Sequence, residues 1–239
     1  MKKMNCEEVL KNACEYAGIE LTDIMIGQFD KYFHLLVEWN EKINLTAITE
    51  QNDVYLKHFA DSIYGAKFIK RNATLCDIGT GAGFPALVLK IVRPDIKVTL
   101  VDALDKRIKF LYEVITKLGL KDVVALHYRA EDKVFKQKYL NSFDVATARA
   151  VARMATLTEY CLPFVKVGGR FVAYKSDKID DELKESKKAI GVIGGELISC
   201  EKYSLDQETT RLLVIVQKKS STPEKYPRDK NKPKLQPIL

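Results

Sequence analysis

The sequence predicts an α/β fold with a mainly parallel sheet, and two observations carry this prediction. Strand patterns alternate with helical patterns from about residue 73 to residue 171, which implies right-handed β-α-β crossovers. The run Gly79-Thr-Gly-Ala-Gly83 follows the first apolar strand and precedes the first helix of this region. Glycines at that place allow a tight turn and a close approach of the backbone to a bound nucleoside.

Strand and helix patterns can be assigned in chain order. Residues 7–17 and 22–43 carry apolar side chains at helical spacing, and Thr22 is a candidate N-cap. The first strand starts at Leu75, and the helix after the glycines spans 86–92. The remaining strand patterns lie at 97–101, 123–128, 143–147, 170–175, 196–203 and 211–217, with a charged helix at 179–190. We expect the last two strands to form an antiparallel pair at one edge of the sheet.

This organisation divides the chain into three parts. We expect an N-terminal helical region over 1–70, a core over 71–218 and a basic, proline-rich tail over 219–239. Proline fixes φ and removes a backbone donor, so the tail should be extended rather than helical. A chain of 239 residues can bury a full core.

Charge and cysteine usage indicate where the protein works. The net charge of +7 suits a nucleic-acid partner. The five cysteines show no C-x-x-C pair and no metal-ligand spacing, so we expect reduced thiols and no metal. Acids at Glu7 and Glu8 precede any signal-peptide core, and no stretch approaches the roughly 18 apolar residues of a membrane span. We therefore expect a cytoplasmic protein without a membrane partner. We also expect a monomer, although the sequence itself does not fix the oligomeric state.

The residue that precedes the glycine run indicates the charge of the ligand. Asp77 lies at the end of the first strand, where a carboxylate would repel a pyrophosphate. S-adenosylmethionine has no phosphate and carries an ammonium group, which a carboxylate attracts by roughly 1–4 kcal/mol at contact distance. Position 84 is also Phe, so the third glycine falls one residue early for the dinucleotide fingerprint. The sequence therefore favours S-adenosylmethionine over NAD.

Further polar residues follow the other predicted strands. Asp102 ends the second strand, 19 residues after Gly83, where a nucleoside-binding fold places its acceptor for the ribose hydroxyls. The third strand leads into Glu131 and the fourth into Arg149. The ligand crevice of an open α/β sheet lies along the carboxyl ends of its strands, so we expect these residues to converge with Asp77.

Strings of residues inside and outside the glycine run resemble those of a known family. They are Val37-Glu-Trp-Asn-Glu-Lys-Ile-Asn-Leu-Thr-Ala-Ile48, His58-Phe-Ala-Asp-Ser62, Asp77-Ile-Gly-Thr-Gly-Ala-Gly-Phe-Pro85, Asp102 with Lys106-Arg107, Arg129-Ala-Glu131, Arg149-Ala150 and Tyr226-Pro-Arg228. On these residues the chain resembles the bacterial small-subunit ribosomal RNA methyltransferase G family, also called glucose-inhibited division protein B. The Trp-Asn-x-x-x-Asn-Leu-Thr string and the Gly-Phe-Pro separate this family from generic methyltransferases.

The resemblance implies a fold, a reaction and a set of site residues. The fold would be that of a class I S-adenosylmethionine-dependent methyltransferase, Rossmann-like, with a mostly parallel seven-stranded sheet and an N-terminal helical extension. The reaction would be methyl transfer to N7 of a guanine in the 530 loop of 16S rRNA, with that RNA or the 30S subunit as partner. Together with the loop analysis, the resemblance gives a cofactor site of Asp77, Gly79, Gly81, Gly83, Phe84, Asp102, Ala130, Glu131 and Arg149.

The chain departs from the family pattern in two places. Family members usually have Gly where this chain has Ala86. They also have a Gly in the tail, where this chain reads Asp229-Lys-Asn-Lys232. The first departure is a small change in a helix turn, and the second bears on the conformation of the tail.

The implied chemistry requires no catalytic base. N7 of guanine presents a lone pair, so attack on a sulfonium methyl needs no prior proton removal, and we assign no catalytic residue. His58 and Asp61 fall on a predicted helix beside the crevice, where a structural role is the alternative to a direct one. For Arg149, the alternative to a cofactor contact is a contact with a substrate phosphate.

Basic residues outside the glycine run are candidates for RNA binding. Lys106, Arg107, Lys175 and Arg228 are expected to hold phosphates, together with the other cations of the tail. Two other functions remain open. One is a small-molecule methyltransferase on the same scaffold, and the other is a noncatalytic RNA-binding or ribosome-assembly factor that retains a cofactor pocket.

Overall fold

Seven strands form one sheet in the computed structural model of the protein, which describes residues 5–239. The strands are β1 (Thr74–Ile78), β2 (Lys97–Asp102), β3 (Val123–His127), β4 (Phe143–Arg149), β5 (Val165–Ser176), β6 (Gly195–Ser204) and β7 (Thr210–Lys218). Their order in the sheet is β3-β2-β1-β4-β5-β7-β6. The pairs β2–β3, β1–β4 and β4–β5 are parallel, while β7 is antiparallel to both β5 and β6. The predicted sheet and its antiparallel edge are confirmed.

The described range also contains ten α-helices and three short helices of other types. The α-helices are α1 (Cys6–Tyr16), α2 (Asp23–Ile43), α3 (Gln51–Val54), α4 (Asp61–Ile63), α5 (Ala86–Val92), α6 (Asp105–Lys117), α7 (Lys133–Tyr139), α8 (Met154–Cys161), α9 (Asp180–Val192) and α10 (Lys232–Leu235). A π-helix spans Tyr55–Ala60, and 3-10 helices span Tyr64–Phe68 and Leu162–Phe164. None of the helices in residues 5–239 combines the length and the apolar character that a membrane span requires. The expectation that no signal peptide is present concerns Met1–Met4 in part, and those residues lie outside the described range.

The described chain forms two compact units, each built from separate stretches of sequence. The first unit contains the described residues up to Asn72 together with Thr80–His127. The second contains Ala73–Gly79 and Tyr128–Leu239. The chain therefore passes from the second unit to the first within the glycine run, between Gly79 and Thr80.

The first unit packs helix α2 against α6. The Thr22 side chain accepts a hydrogen bond from the Met25 amide at the start of α2, which confirms the predicted cap. Trp39 on α2 donates its ring N–H to the Glu113 carboxylate on α6 at 3.0 Å. The apolar face of α2 is buried at Phe29, Tyr32 and Leu36. Both predicted N-terminal helices are confirmed to within one residue.

Strand β5 is longer than the sequence predicts. Gly168 and Gly169 were expected to precede a strand beginning at Arg170, but β5 begins at Val165 and contains both. The pairing with β4 shifts in register after Phe143, which marks a β-bulge. A Cβ at Gly169 would lie 2.5 Å from the Asp144 carbonyl oxygen, and Gly168 has a φ of +87°. These glycines therefore permit the bulge instead of ending the strand.

The C-terminal tail was expected to be extended rather than helical, and this expectation is wrong for residues 232–235. Residues 232–235 form α10, and Pro233 occupies its first turn, where the missing backbone donor costs no helical hydrogen bond. Lys230 and Asn231 precede this helix with φ values of +54° and +59°. They stand in the stretch where the resemblance leads us to expect Gly, the residue that adopts such values without strain. The departure noted in the tail thus falls on two left-handed residues.

Candidate functional site

The first unit holds the second half of the glycine run against the end of β2. The Asp102 carboxylate is 2 % exposed and accepts hydrogen bonds from the amides of Gly81 at 2.9 Å and Leu104 at 3.0 Å. Arg107 approaches the same carboxylate at 3.3 Å. A carboxylate offers about four acceptor positions, so Asp102 fixes the turn and keeps acceptor capacity for a ligand hydroxyl.

Two features of this turn fit a bound ligand. The Thr80 hydroxyl is buried and makes no hydrogen bond to another residue within the described range. A buried hydroxyl without a partner costs free energy unless a ligand or water satisfies it. A Cβ built at Gly81 would meet no atom within 4 Å, so the space beside this glycine is open. The turn therefore has an unsatisfied polar group at Thr80 and open space at the neighbouring Gly81.

Aromatic side chains support the end of the glycine run. Tyr32 donates a hydrogen bond from its hydroxyl to the Ala82 carbonyl, and its ring stacks on Phe84 with centroids 5.5 Å apart. At Gly83, where φ is +92°, a Cβ would lie 2.5 Å from the Tyr32 hydroxyl and 2.6 Å from a Leu87 methyl. Glycine at this position is therefore required by packing as well as by backbone conformation.

A chain of contacts links the family string on α2 to Phe84. The Asn40 side-chain oxygen accepts hydrogen bonds from the amides of Leu45 at 2.6 Å and Thr46 at 2.8 Å. The Thr46 hydroxyl lies 2.8 Å from Nε2 of His58, and Nδ1 of His58 lies 3.2 Å from the Lys57 carbonyl. The His58 ring stacks on Phe84 with centroids 4.7 Å apart and planes 22° apart.

These contacts bear on the question of a catalytic histidine. Both ring nitrogens of His58 face protein groups, and its ring supports a predicted cofactor contact. His58 lies in the π-helix, a rare element that is frequent at functional sites. Asp61 begins the next helix and is buried. The geometry assigns His58 a structural contact with the glycine run.

The second unit contains Asp77, the acid predicted to favour a cationic cofactor. Asp77 is fully buried at the end of β1 and accepts a hydrogen bond from the Thr147 hydroxyl at 2.7 Å. Thr147 lies opposite Asp77 in the β1–β4 register. Burial, with a contribution from the Asp77 charge, raises the pKa of the neighbouring Cys76 and Cys161 thiols well above the usual range. These two cysteines therefore stay protonated and unreactive near neutral pH.

The end of β4 carries Arg149 and a strained turn. Arg149 is half-buried and is the last residue of the strand, two residues beyond the predicted end at Thr147. Ala150 follows it with a φ of +57°, a conformation that costs a residue with a Cβ roughly 1–2 kcal/mol. A Cβ at Gly79 would lie 2.7 Å from a Val151 methyl. This turn therefore packs directly against the first glycine of the run.

A cleft of about 540 Å³ lies after β3 in the second unit. Glu131, a predicted cofactor contact, lines it, and the neighbouring Ala130 is buried. The other lining residues are Arg129, Asp132, Lys133, Asp229, Lys230 and Asn231. The cleft has the size of a small-molecule site, roughly 300–1,000 Å³.

The cations predicted to bind RNA differ in how far they are already engaged. Lys106 is exposed on α6, and Arg107 forms the ion pair with Asp102. The Lys175 ammonium donates to the Ala152 carbonyl at 2.8 Å and to the Glu182 carboxylate. The Arg228 guanidinium binds the buried Glu159 carboxylate. Two of the four therefore have structural partners in the second unit.

The structure joins predicted site residues in groups and adds others. It brings Asp102 to Gly81 in the first unit and Glu131 to the tail in the second. The contacts of Thr80, Thr147 and Tyr32 were not predicted, because they depend on residues of other elements. Thr46 was part of the family string, but no local signal tied it to His58. Within residues 5–239 no three His, Cys, Asp or Glu side chains cluster so as to hold a metal ion.

Comparisons with known proteins place the chain in a family. A family model described as GidB, rRNA small subunit methyltransferase G, matches residues 25–211. A relative from Lactobacillus helveticus named ribosomal RNA small subunit methyltransferase G is 53% identical over 98% of this chain and 100% of its own. A relative of the same name from Geobacillus kaustophilus is 50% identical over 94% of this chain and 95% of its own.

Solved structures with low sequence identity support the fold. The structure of M. jannaschii TYW2 in complex with AdoMet has a TM-score of 0.53 at 16% identity and covers 66% of this chain and 76% of its own. The YcgJ protein from Bacillus subtilis has a TM-score of 0.53 at 16% identity and covers 69% of this chain and 100% of its own. These likenesses show the α/β methyltransferase fold. The family match and the relatives along nearly the whole length show that this chain belongs to the GidB family, rRNA small subunit methyltransferase G.

Proposed function

We propose that this protein transfers a methyl group from S-adenosylmethionine to N7 of a guanine in the 530 loop of 16S rRNA. Membership of the GidB family carries the proposal, because the relatives are named for methylation of small-subunit ribosomal RNA. The base, the atom and the loop extend beyond those names. They rest on the resemblance in the sequence, and attack by the N7 lone pair would need no proton acceptor.

The proposed cofactor contacts divide into five tasks. Gly79, Gly81 and Gly83 let the backbone approach the cofactor, and Phe84 supplies an apolar surface beside it. Asp102 accepts hydrogen bonds from the ribose hydroxyls, because its carboxylate has acceptor positions left after binding the two loop amides. Asp77 and Arg149 complement the charges of the amino-acid portion, while Ala130 and Glu131 hold the adenine. The unpartnered Thr80 hydroxyl and the open space at Gly81 support this use of the turn.

The proposed chemistry depends on position more than on proton transfer. When bound, S-adenosylmethionine supplies an electrophilic methyl group on a sulfonium. Holding two reactants in line can lower a barrier by about 7–11 kcal/mol in favourable systems. The protein residues therefore need to orient the guanine and exclude water, and the contacts of His58 with Thr46, Lys57 and Phe84 suit a supporting role.

The proposed RNA contacts come from cations outside the glycine run. Lys106 and Arg107 lie on the first turn of α6, and Lys106 is exposed. Lys175 and Arg228 are proposed with them, although each also has a carboxylate partner that an RNA phosphate would have to share. We place the reaction in the cytoplasm, on 16S rRNA or the 30S subunit, and we propose that a monomer carries it out.

A paired measurement tests the proposal against its alternatives. Calorimetric titration with S-adenosylmethionine should show binding, and a protein that does not bind it would match the noncatalytic RNA-binding factor. Transfer of labelled methyl from S-adenosylmethionine to 16S rRNA should then occur, both on naked RNA and on 30S subunits in separate reactions. Cofactor binding with no label in either RNA would contradict the proposal and favour a small-molecule methyltransferase.

A further inference from the structure

The C-terminal strap, defined here as residues 226–236, is docked on helix α8. The Arg228 guanidinium and its backbone amide bind the Glu159 carboxylate at 2.7–2.9 Å. The Thr156 hydroxyl donates to the Pro233 carbonyl at 3.0 Å. Tyr226 and Pro233 are buried. These contacts hold the strap against α8, so it is more than an extended basic tail.

The Arg228–Glu159 pair is the strongest of these attachments. Glu159 is 1 % exposed, so its charge must be balanced by a partner inside the protein. Arg228 supplies side-chain donors in the fork geometry that matches a carboxylate, and its own backbone amide adds a further bond. Losing Arg228 would leave a buried, unpaired carboxylate. The strap position is therefore set by a specific interaction.

The docked strap forms part of the cleft that contains Glu131. Asp229, Lys230 and Asn231 line it on the strap side, and the residues on the other side are Arg129, Glu131, Asp132 and Lys133. Tyr160 on α8 donates its hydroxyl to the Asn231 side-chain oxygen at 3.3 Å. Within the described residues, the amide NH2 of Asn231 makes no hydrogen bond. The left-handed backbone of Lys230 and Asn231 turns the strap at this point.

The charges of the cleft indicate the kind of ligand that it suits. Three cations, Arg129, Lys133 and Lys230, are matched by three acids, Glu131, Asp132 and Asp229. A phosphate would be repelled by the acids and a simple cation by the basic residues. A neutral heterocycle whose edge carries both donors and acceptors, such as a purine base, can use both kinds of group.

We propose that the C-terminal strap is the outer wall of the subsite for the purine base of the cofactor, with Asn231 as a direct contact and Arg228 as a positioning residue. This inference rests on the proposed function, because Glu131 joins the strap to the proposed cofactor site. The strap then contributes to cofactor affinity although it lies about 100 residues after Glu131 in sequence.

Two strap variants and one control test the proposal in the full-length protein. Asn231→Ala removes the free amide group, and Arg228→Gln releases the strap from Glu159. Arg153→Gln is the control, since it breaks an exposed Arg–Glu pair with Glu185 that does not line the cleft. Dissociation constants are measured by calorimetry for S-adenosylmethionine and for 5′-methylthioadenosine, which keeps the purine and ribose but lacks the amino acid.

The strap should affect both probes by the same factor. We expect Asn231→Ala to weaken both about 3- to 10-fold, the range for one lost hydrogen bond, and Arg228→Gln to weaken both at least as much. The control should match the parent. If both folded strap variants bind with the parent constants, the strap proposal is wrong and the proposed function stands. Weaker binding of S-adenosylmethionine alone would overturn the purine assignment. If the parent protein binds neither probe, both the proposed function and the strap subsite are wrong.

Discussion

At the scale of single residues, Asp102 combines a structural task with a proposed binding task. It holds the Gly81 amide and the Leu104 amide from a buried position at the end of β2. The position of Asp102 after the glycine run predicted its binding role, because strand and loop patterns depend on neighbouring residues in the sequence. It did not indicate that Asp102 also fixes the loop, since that bond joins residues 21 positions apart.

Replacing Asp102 should weaken cofactor binding. We expect Asp102→Ala to lose about 1.5–3 kcal/mol of binding free energy, the range for hydrogen bonds to a charged acceptor. Calorimetric titration with S-adenosylmethionine measures the loss, and Asp105→Ala provides a control because Asp105 is exposed and pairs with Lys109. Unchanged affinity in a folded Asp102→Ala protein would remove this residue from the site.

Two glycines of the same run should respond differently to alanine. Both have positive φ, so each variant should lose about 1–2 kcal/mol of folding stability. Gly83→Ala should lose about 1–3 kcal/mol more folding stability, because its Cβ would clash with Tyr32 and Leu87. The Cβ of Gly81→Ala would contact no atom within 4 Å. Gly81→Ala should instead block the cofactor. Urea unfolding and cofactor titration measure the two effects, and equal losses of stability would contradict the packing at Gly83.

Lys218 should make folding stability depend on pH. It is fully buried, and its ammonium donates to the Leu162 carbonyl at 2.9 Å and to Thr222. Burial lowers its pKa to about 8, below the roughly 10.4 of an unfolded lysine. The unfolded chain therefore binds more protons between these values, and stability gains up to about 3 kcal/mol as pH rises through that window.

The matched variant for this effect is Lys218→Met. Urea unfolding of both proteins between pH 7.5 and about 10.5 isolates the lysine contribution from other titrating groups. The parent should gain stability relative to the variant as pH rises. A difference that stays constant across the window would show that Lys218 keeps an ordinary pKa.

At the scale of elements, local patterns explain why some boundaries were predictable. The helix over 86–92 and the cap at Thr22 depend on neighbouring residues, and both match the structure. Strand β5 was predicted too short because the role of Gly169 is set by the Asp144 backbone on another strand. The π-helix at Tyr55–Ala60 also has no distinct local pattern, so only a helix could be expected there.

The contact between the π-helix and the glycine run leads to a prediction about His58. As a support for Phe84, His58 should affect cofactor affinity more than turnover. We expect His58→Gln to weaken cofactor binding while turnover at saturating substrate falls less than about 10-fold, since loss of a general base costs about 10²–10⁴-fold. His34→Gln is the matched control, because His34 is exposed on α2. A folded His58→Gln protein with intact affinity and a loss in the larger range would identify a base.

At the scale of the whole molecule, the family and the fold could be predicted from the sequence more accurately than the conformation of the tail. The seven-stranded sheet and its antiparallel edge follow from strand patterns, and the family follows from strings that span most of the chain. The tail composition predicted extended backbone, but the Arg228–Glu159 pair joins residues 69 positions apart and docks it on α8. The predicted division into parts at residues 70 and 218, and the site assignments, stay predictions.

The nature of the methylated product tests the central claim most directly. Methylation at N7 leaves a cationic guanine whose imidazole ring opens after borohydride reduction, so that aniline then cuts the RNA chain there. Methylation of an exocyclic amine or a ribose gives no such cut. Small-subunit RNA treated with this protein and S-adenosylmethionine should therefore break at a single guanine, in the 530 loop. RNA that carries the labelled methyl group and yet resists this cleavage would contradict the N7 assignment.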